Sequence, residues 1–447
     1  MTMPKFTEKI VVAAMKLGMK IAGADVSQEE ALEALGEVTV TDGMPEILRE
    51  AAGETAVLLE NNGVLPFKKG SKVSLFGRVQ NDWFFTGYGS GGDVKKPYGV
   101  NLIDGLKNCE DLVLNTKLAD IYEKWCKENP VDHGVWGHWP RFYPEMPLTA
   151  EIVKEAKAES DNAVFVIGRS SGEDRENALE KGSFYVTDEE RMALHRICEQ
   201  FDNVTLLLNI GSVMDMSWLR EFGKKIGAVM IVWQGGMESG TALADVLTGA
   251  VTPCGALTAT IAKQYSDYPS SKFFGGKRYN NYVEDIYVGY RDYATRKVEV
   301  AYPFGFGLTY SQFEMSDMKV EESRDGFKVS CVVKNVGNFP AKQVVQLYST
   351  ELAPEVDRPA IELRGYKKTP LLKGGEEVVV EIAISHSDLM TYNEKASAWK
   401  LTKGDYRLSL GFDSQTLPLH KQISITKEVL QPISTLMAPA DGKVFIE

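Results

Sequence analysis

Four short apolar runs constrain this chain more than any other feature: Lys72–Gly77, Ala163–Gly168, Val204–Ile210 and Ala228–Trp233. They are continuous rather than alternating. A strand that is apolar at nearly every position has both faces covered, which is the condition of a parallel sheet packed between helices. Helical periods separate the runs, as at Glu151–Ser160 and Thr187–Phe201. The second of these opens on Thr187-x-x-Glu190, a capping box that satisfies two orphan backbone donors. Alternation of this kind predicts an α/β layered sandwich domain with a mostly parallel sheet, whose ligand sites lie beyond the carboxyl ends of the strands. The loops that follow those strands are where chemistry is to be sought.

The texture changes after Tyr310. Phe327–Val333, Gln343–Tyr348, Glu377–Ile384 and Tyr406–Gly411 are mostly alternating and are separated by Gly, Pro and Asn turns. They predict an all-β sandwich of immunoglobulin or fibronectin type. At the other end, Lys5–Gly23 reads as an amphipathic helix, because Lys16 and Lys20 interrupt its apolar stretch before the hydrophobic region of a signal peptide is complete. The expected organisation is a helical extension over 1–43, an α/β domain over 44–310, a fibronectin type III-like domain over 311–428 and a linker-like tail over 429–447.

Charge and cysteine content narrow the partners. The chain has 62 acidic and 50 basic residues, a net charge of −12, and no Lys/Arg cluster able to neutralise a run of phosphates. No nucleic acid partner is expected. No stretch of about 18 uninterrupted apolar residues occurs, so no membrane span is expected. The five cysteines are odd in number, widely spaced and never C-x-x-C, which argues against a disulfide framework or a cysteine zinc site and predicts a reducing, cytoplasmic compartment.

Several motifs can be weighed. Gly87-Tyr-Gly89-Ser-Gly-Gly92 matches G-x-G-x-x-G, yet it does not lie between a strand and a helix start, so it reads as a loop with close backbone approach rather than a dinucleotide site. His133 and His138 lack a third ligand, and no G-x-S-x-G elbow is present. No metal and no cofactor are expected. Carboxylates remain. Glu238 lies on the loop between the fourth apolar run and the helical stretch Thr241–Gly249. It reads either as an acid complementing a helix N-terminus, with Ser239 as the cap, or as a catalytic carboxyl. Glu173, Asp174, Arg175 and Glu176 follow the second run and read either as an Arg–carboxylate network bracing the loop or as part of a site. The loop containing Trp136 and Trp139 offers aromatic faces, either to a sugar or to a buried interface.

Taken in order, Arg49–Pro66, Ser171–Asp174, Gly236–Gly240, Asp285–Arg291, Tyr302–Tyr310 and Val344–Tyr348 make the chain resemble the C-terminal half of glycoside hydrolase family-three enzymes, the β-glucosidase group. The resemblance implies an α/β sandwich followed by a fibronectin type III-like domain. It also implies a role in retaining hydrolysis of terminal β-linked sugars, with a β-glucoside or oligosaccharide as substrate. The family's general acid/base falls on Glu238. Glu173, Asp174, Arg175, Trp136 and Trp139 fall on the substrate cleft or its support. The family's nucleophilic aspartate is carried by a (β/α)8 barrel of about 250 residues, expected here on a partner domain or subunit. The expectation is the leading half of an inverted-order enzyme, truncated, nicked or separately encoded, which could also assemble into an oligomer. The competing reading is a non-catalytic carbohydrate-binding or assembly module.

Overall fold

The structure is a computed structural model that describes residues 5–21, 40–89, 96–134, 137–173, 177–274 and 281–434. The chain divides into two compact units, Met1–Gly255 and Ala256–Glu447.

The first unit opens with helix α1 (Lys5–Ile21) and then α2 (Met44–Thr55). The α/β layer follows, with β1 (Val57–Asn61), β2 (Ser71–Phe76), α3 (Leu102–Lys107), β3 (Leu112–Leu114), α4 (Thr116–Glu128) and α5 (Ala150–Glu159). It continues with β4 (Asn162–Gly168), α6 (Asp188–Gln200), β5 (Val204–Asn209), β6 (Ile226–Ile231) and α7 (Ser239–Thr248). Strand order in the six-stranded sheet is β1-β6-β5-β4-β2-β3. All neighbours are parallel except β1, which runs antiparallel to β6 with Val57 opposite Ile231. The four apolar runs are the four central strands. Every residue of β5 and β6 is buried, as expected of strands covered on both faces.

The helix starts follow from side-chain chemistry. Asn115 and Thr149 each accept a backbone N–H at the first turn of α4 and α5. Thr187 and Glu190 form the expected capping box at α6. Glu190 has a second task. Its carboxylate takes both terminal nitrogens of Arg169, at 2.6 and 2.7 Å, and the pair is almost wholly buried. Arg169 also donates to the carbonyls of Gly168 and Ser183, so the loop after β4 is braced from beneath.

The second unit contains β7 (Ile261–Ala262), α8 (Tyr290–Arg296), β8 (Val300–Tyr302), β9 (Phe313–Ser323), β10 (Gly326–Asn335) and β11 (Val344–Glu351). It is completed by β12 (Glu362–Lys368), β13 (Glu377–Ser385), β14 (Thr391–Asn393), β15 (Ala398–Leu401), β16 (Gly404–Gly411), β17 (Leu419–Ile425) and β18 (Val429–Pro432). Sheets β13-β10-β9 and β12-β11-β16-β17 enclose a core that includes Phe327, Val329, Cys331, Leu347, Ile382 and Leu408. The alternation in β10 places Phe327, Val329, Cys331 and Val333 inward and Lys328 and Lys334 outward. The stretch from 429, expected as a linker, begins with a strand: β18 pairs with β15, and Leu430 lies opposite Lys400. Backbone pairing there needs no apolar period, which is why the sequence pattern did not reveal it.

Residues 256–310 belong to the second unit, and the chemistry of that grouping is visible. Tyr290 stacks on Phe304 at 4.8 Å, meets Tyr348 edge-on at 5.8 Å and accepts the Leu363 N–H. Gln346 donates to the carbonyl of Gly305 at 3.1 Å, and a Cβ on Gly305 would lie 2.2 Å from the Gln346 side chain.

Candidate active site

The carboxyl ends of β2, β4, β5 and β6 lie on one edge of the parallel sheet, and the loops leaving them are tied to one another. Asn209, the last residue of β5, is fully buried. Its oxygen accepts the Phe84 N–H at 2.9 Å, and its nitrogen donates to the carbonyls of Phe84 at 3.0 Å and Trp233 at 2.6 Å. One amide therefore fastens the loop after β2 to the loop after β6. Trp233 adopts φ 51°, a left-handed conformation unusual for a residue with a side chain, and its indole N–H donates to the Thr55 carbonyl.

Glu238 stands at the far end of this loop, as the residue preceding α7. It is 9% exposed. Three backbone bonds fix its surroundings: Gly236 N–H to Phe85 O, Val100 N–H to Met237 O, and Gly240 N–H to Val100 O, at 2.9, 2.7 and 2.8 Å. The approach is close enough to demand glycine. A Cβ on Gly240 would lie 1.8 Å from the Asn101 carbonyl, and one on Gly105 would lie 2.2 Å from the Gly240 carbonyl.

The side chain of Glu238 does not cap the helix. Nor is Ser239 the cap: it is the first helical residue, and its hydroxyl donates back to the Gly236 carbonyl. The Glu238 carboxylate instead accepts the Tyr98 hydroxyl on Oε1 at 2.6 Å. Holding that charge pushes the Tyr98 hydroxyl up to about 12. Among the described residues Tyr98 is the one hydrogen-bond donor to the carboxylate, so Oε2 is available to carry a proton. On α2, Arg49 grips Asp245 of α7 through two nitrogens at 2.5 and 2.6 Å. Its guanidinium is held above the usual range, chiefly by Asp245 and to a lesser degree by Glu238.

Of the other predicted residues, Trp139 and Glu173 meet at Tyr88. The Trp139 ring, 6% exposed, lies parallel to Tyr88 at 5.2 Å. The Tyr88 hydroxyl meets that of Tyr143 at 3.1 Å, and Tyr143 stacks on Phe84 at 4.6 Å. On its backbone side Tyr88 donates to Ser171 O at 2.7 Å and accepts the Glu173 N–H at 3.1 Å. Gly172 permits this contact: its φ is 130°, and a Cβ there would lie 2.0 Å from the Tyr88 carbonyl. The close backbone approach read from Gly87 and Gly89 is present, since a Cβ on Gly89 would meet Glu173 at 2.4 Å. Gln234 joins this cluster to the Glu238 loop by accepting the Ser171 hydroxyl at 3.0 Å and donating to the Arg169 carbonyl at 3.2 Å. Asp174, Arg175 and Trp136 lie outside the described residues. Among the described residues no group of three His, Cys, Asp or Glu side chains could hold a metal ion.

Sequence reasoning missed Tyr98, Asn209 and Gln234 as parts of the site. Asn209 left a trace, as the polar residue interrupting the apolar run Val204–Ile210. Tyr98 left none, because it is 140 positions from its partner.

Comparison with known proteins matches residues 56–310 to the glycosyl hydrolase family 3 C-terminal domain and residues 343–414 to a fibronectin type III-like domain. The chain is 38% identical over 400 residues to a beta-glucosidase from Ruminococcus albus, covering 86% of this chain and 42% of that protein. The crystal structure of a beta-glucosidase from Paenibacillus barengoltzii is similar with a TM-score of 0.85 and 37% identity, covering 90% of this chain and 46% of that one. Beta-glucosidase 3B from Thermotoga neapolitana, in complex with glucose, gives 0.79 and 34%, covering 87% and 55%. The chain thus spans about half the length of the curated relatives it matches.

Proposed function

From the premise that this chain belongs to glycoside hydrolase family 3, we propose that it supplies the general acid/base of a retaining β-glucosidase site and that Glu238 is that residue. The nucleophile comes from a (β/α)8 barrel, which none of the sheets described above forms. The observation that carries this reading is the position of the Glu238 carboxyl. It sits beyond the carboxyl end of β6, is fixed by backbone bonds on both sides, and among the described residues accepts a hydrogen bond on one oxygen.

The mechanism needs two carboxyl groups about 5–5.5 Å apart on either side of the glycosidic bond. Protonated Glu238 gives its proton to the departing oxygen while the barrel's carboxylate attacks C1, forming a glycosyl-enzyme. Ionised Glu238 then takes a proton from the water that attacks C1 and releases the sugar. The acid must be protonated while its partner is ionised, a state that repulsion from the neighbouring carboxylate favours.

Glu173 and Trp139 belong to the walls of the sugar cleft in this reading, acting through Tyr88, which both of them touch. Asp174, Arg175 and Trp136 adjoin them in sequence and take the same assignment from the family resemblance. The substrate is a β-glucoside or β-linked oligosaccharide. Five widely spaced free thiols support a cytoplasmic location.

The test uses the chain together with its barrel. Glu238→Ala should abolish hydrolysis of unactivated β-glucosides, while azide should restore turnover of a substrate with a good leaving group and yield the glycosyl azide. Full activity of Glu238→Ala on an unactivated β-glucoside would refute the assignment. Sugar binding without turnover by the assembled wild-type protein would favour the binding-module reading.

A further inference from the structure

The segment that carries Tyr98 comes from an unrelated part of the chain and is built into the acid loop. Val100 exchanges two backbone hydrogen bonds with it, donating to Met237 and accepting from Gly240. Asn101 accepts the Asp104 N–H at 2.9 Å and so starts α3, whose Gly105 abuts the carbonyl of Gly240. The Lys96 ammonium lies 4.5 Å over the ring of Phe85, whose own carbonyl holds Gly236. Tyr98 is thus anchored on both sides, and its hydroxyl is 2.6 Å from Glu238 Oε1.

We infer that Tyr98 is a positioning residue for Glu238: it occupies Oε1, leaves Oε2 to face the glycosidic oxygen, and stabilises the carboxylate that remains once the proton has gone. The inference rests on the assignment of Glu238 as the acid/base. In glycosylation the Oε2–H proton passes to the leaving oxygen as the C1–O bond breaks and the bond from C1 to the nucleophile forms. The negative charge left on Glu238 is then shared with the Tyr98 hydroxyl. A substrate whose leaving group departs as a stable anion needs no such proton and gains little from Tyr98. The raised titration of Tyr98, caused first by its hydrogen bond to Glu238 and more weakly by burial and by the charges of Glu238 and Glu46, agrees with an ionised carboxylate as its acceptor.

The experiment compares Tyr98→Phe with the parent in the assembled enzyme on cellobiose and on 2,4-dinitrophenyl β-glucoside. A hydrogen bond to a charged group, partly replaced by water at this partly buried position, corresponds to a loss of about tenfold in kcat/KM on cellobiose, with less than about twofold on the activated glucoside. Equal losses on both substrates would overturn the inference, because general damage to the pocket makes no distinction between leaving groups. If Tyr98→Phe fails to assemble, the 447-residue chain itself supplies the second readout. Between about pH 9 and 11, Glu238→Gln should gain the absorbance of one tyrosinate that the parent lacks, because Tyr98 returns toward about 10. Identical titrations would refute the contact. The two assignments fail separately. Full activity of Glu238→Ala on cellobiose ends the acid/base reading, whereas an inactive Glu238→Ala beside an indiscriminate Tyr98→Phe ends only the role of Tyr98.

Discussion

Replacing Asn209 by Leu changes little in volume and removes the amide that joins the loops after β2 and β6. Three backbone groups lose their partner at once: the N–H and carbonyl of Phe84 and the carbonyl of Trp233. Each buried group left unpaired costs about 1–3 kcal/mol, so the loss lies between about 3 and 9 kcal/mol before relaxation. Trp233 works in the opposite direction. Its left-handed backbone stores about 1–3 kcal/mol that release of its carbonyl would return. Taking the middle of each range, a net destabilisation of about 4 kcal/mol follows, a large part of the stability of a typical domain. Urea unfolding followed by tryptophan fluorescence reads the relevant unit, since all of the seven tryptophans except Trp399 lie in it. The slope of the transition should stay constant while its midpoint falls. A cost below about 1 kcal/mol at unchanged slope would show that the amide is dispensable and that the loops are held by other contacts. Asn209→Asp provides a control with a sign. A protonated acid can still donate one of the lost bonds and an ionised one cannot, so its penalty should grow as pH rises.

Two further outcomes are expected. Burial pushes the Glu145 carboxyl up to about 7, against the hydrogen bonds it accepts from Arg78, Met146 and Tyr122. Because its folded value exceeds the unfolded one, the native state favours the proton. Stability is then full below about pH 4.5 and is lost as pH rises through about 7, by about 3 kcal/mol in total. Urea midpoints of the first unit at pH 5 and 8 check this, and Glu145→Gln should flatten the difference. Gly240→Ala places a methyl where the Asn101 carbonyl lies, so it should lower the unfolding midpoint of the first unit and loosen Tyr98 from Glu238. Wild-type stability in that variant would mean that α3 can slide freely on α7.

The parts of this architecture that were legible in the sequence are those in which neighbours along the chain share an environment. β4, β5 and β6 announce themselves because every residue meets the same apolar layers, and α6 because Thr187 and Glu190 are three positions apart. The direction of β1 was not legible, since five residues of mixed burial look alike in either orientation. Three-residue β3 is shorter than any periodicity. Glu238 could be placed on its loop from the pattern alone, but its surroundings could not. Tyr98, Asn209 and the Arg169–Glu190 pair act across 140, 24 to 125, and 21 positions of chain. Such pairings are decided by packing, and no local spacing encodes them.

The hydrogen bonds that join residues 100–101 to 236–240 run between main-chain atoms. The alignment of this seam is consequently insensitive to the side chains borne on it, so exchanging Met237 should leave Glu238 in register. The same seam offers no latitude at Gly105 and Gly240. Substitutions along the seam should therefore spare those two positions and vary the side chains around them.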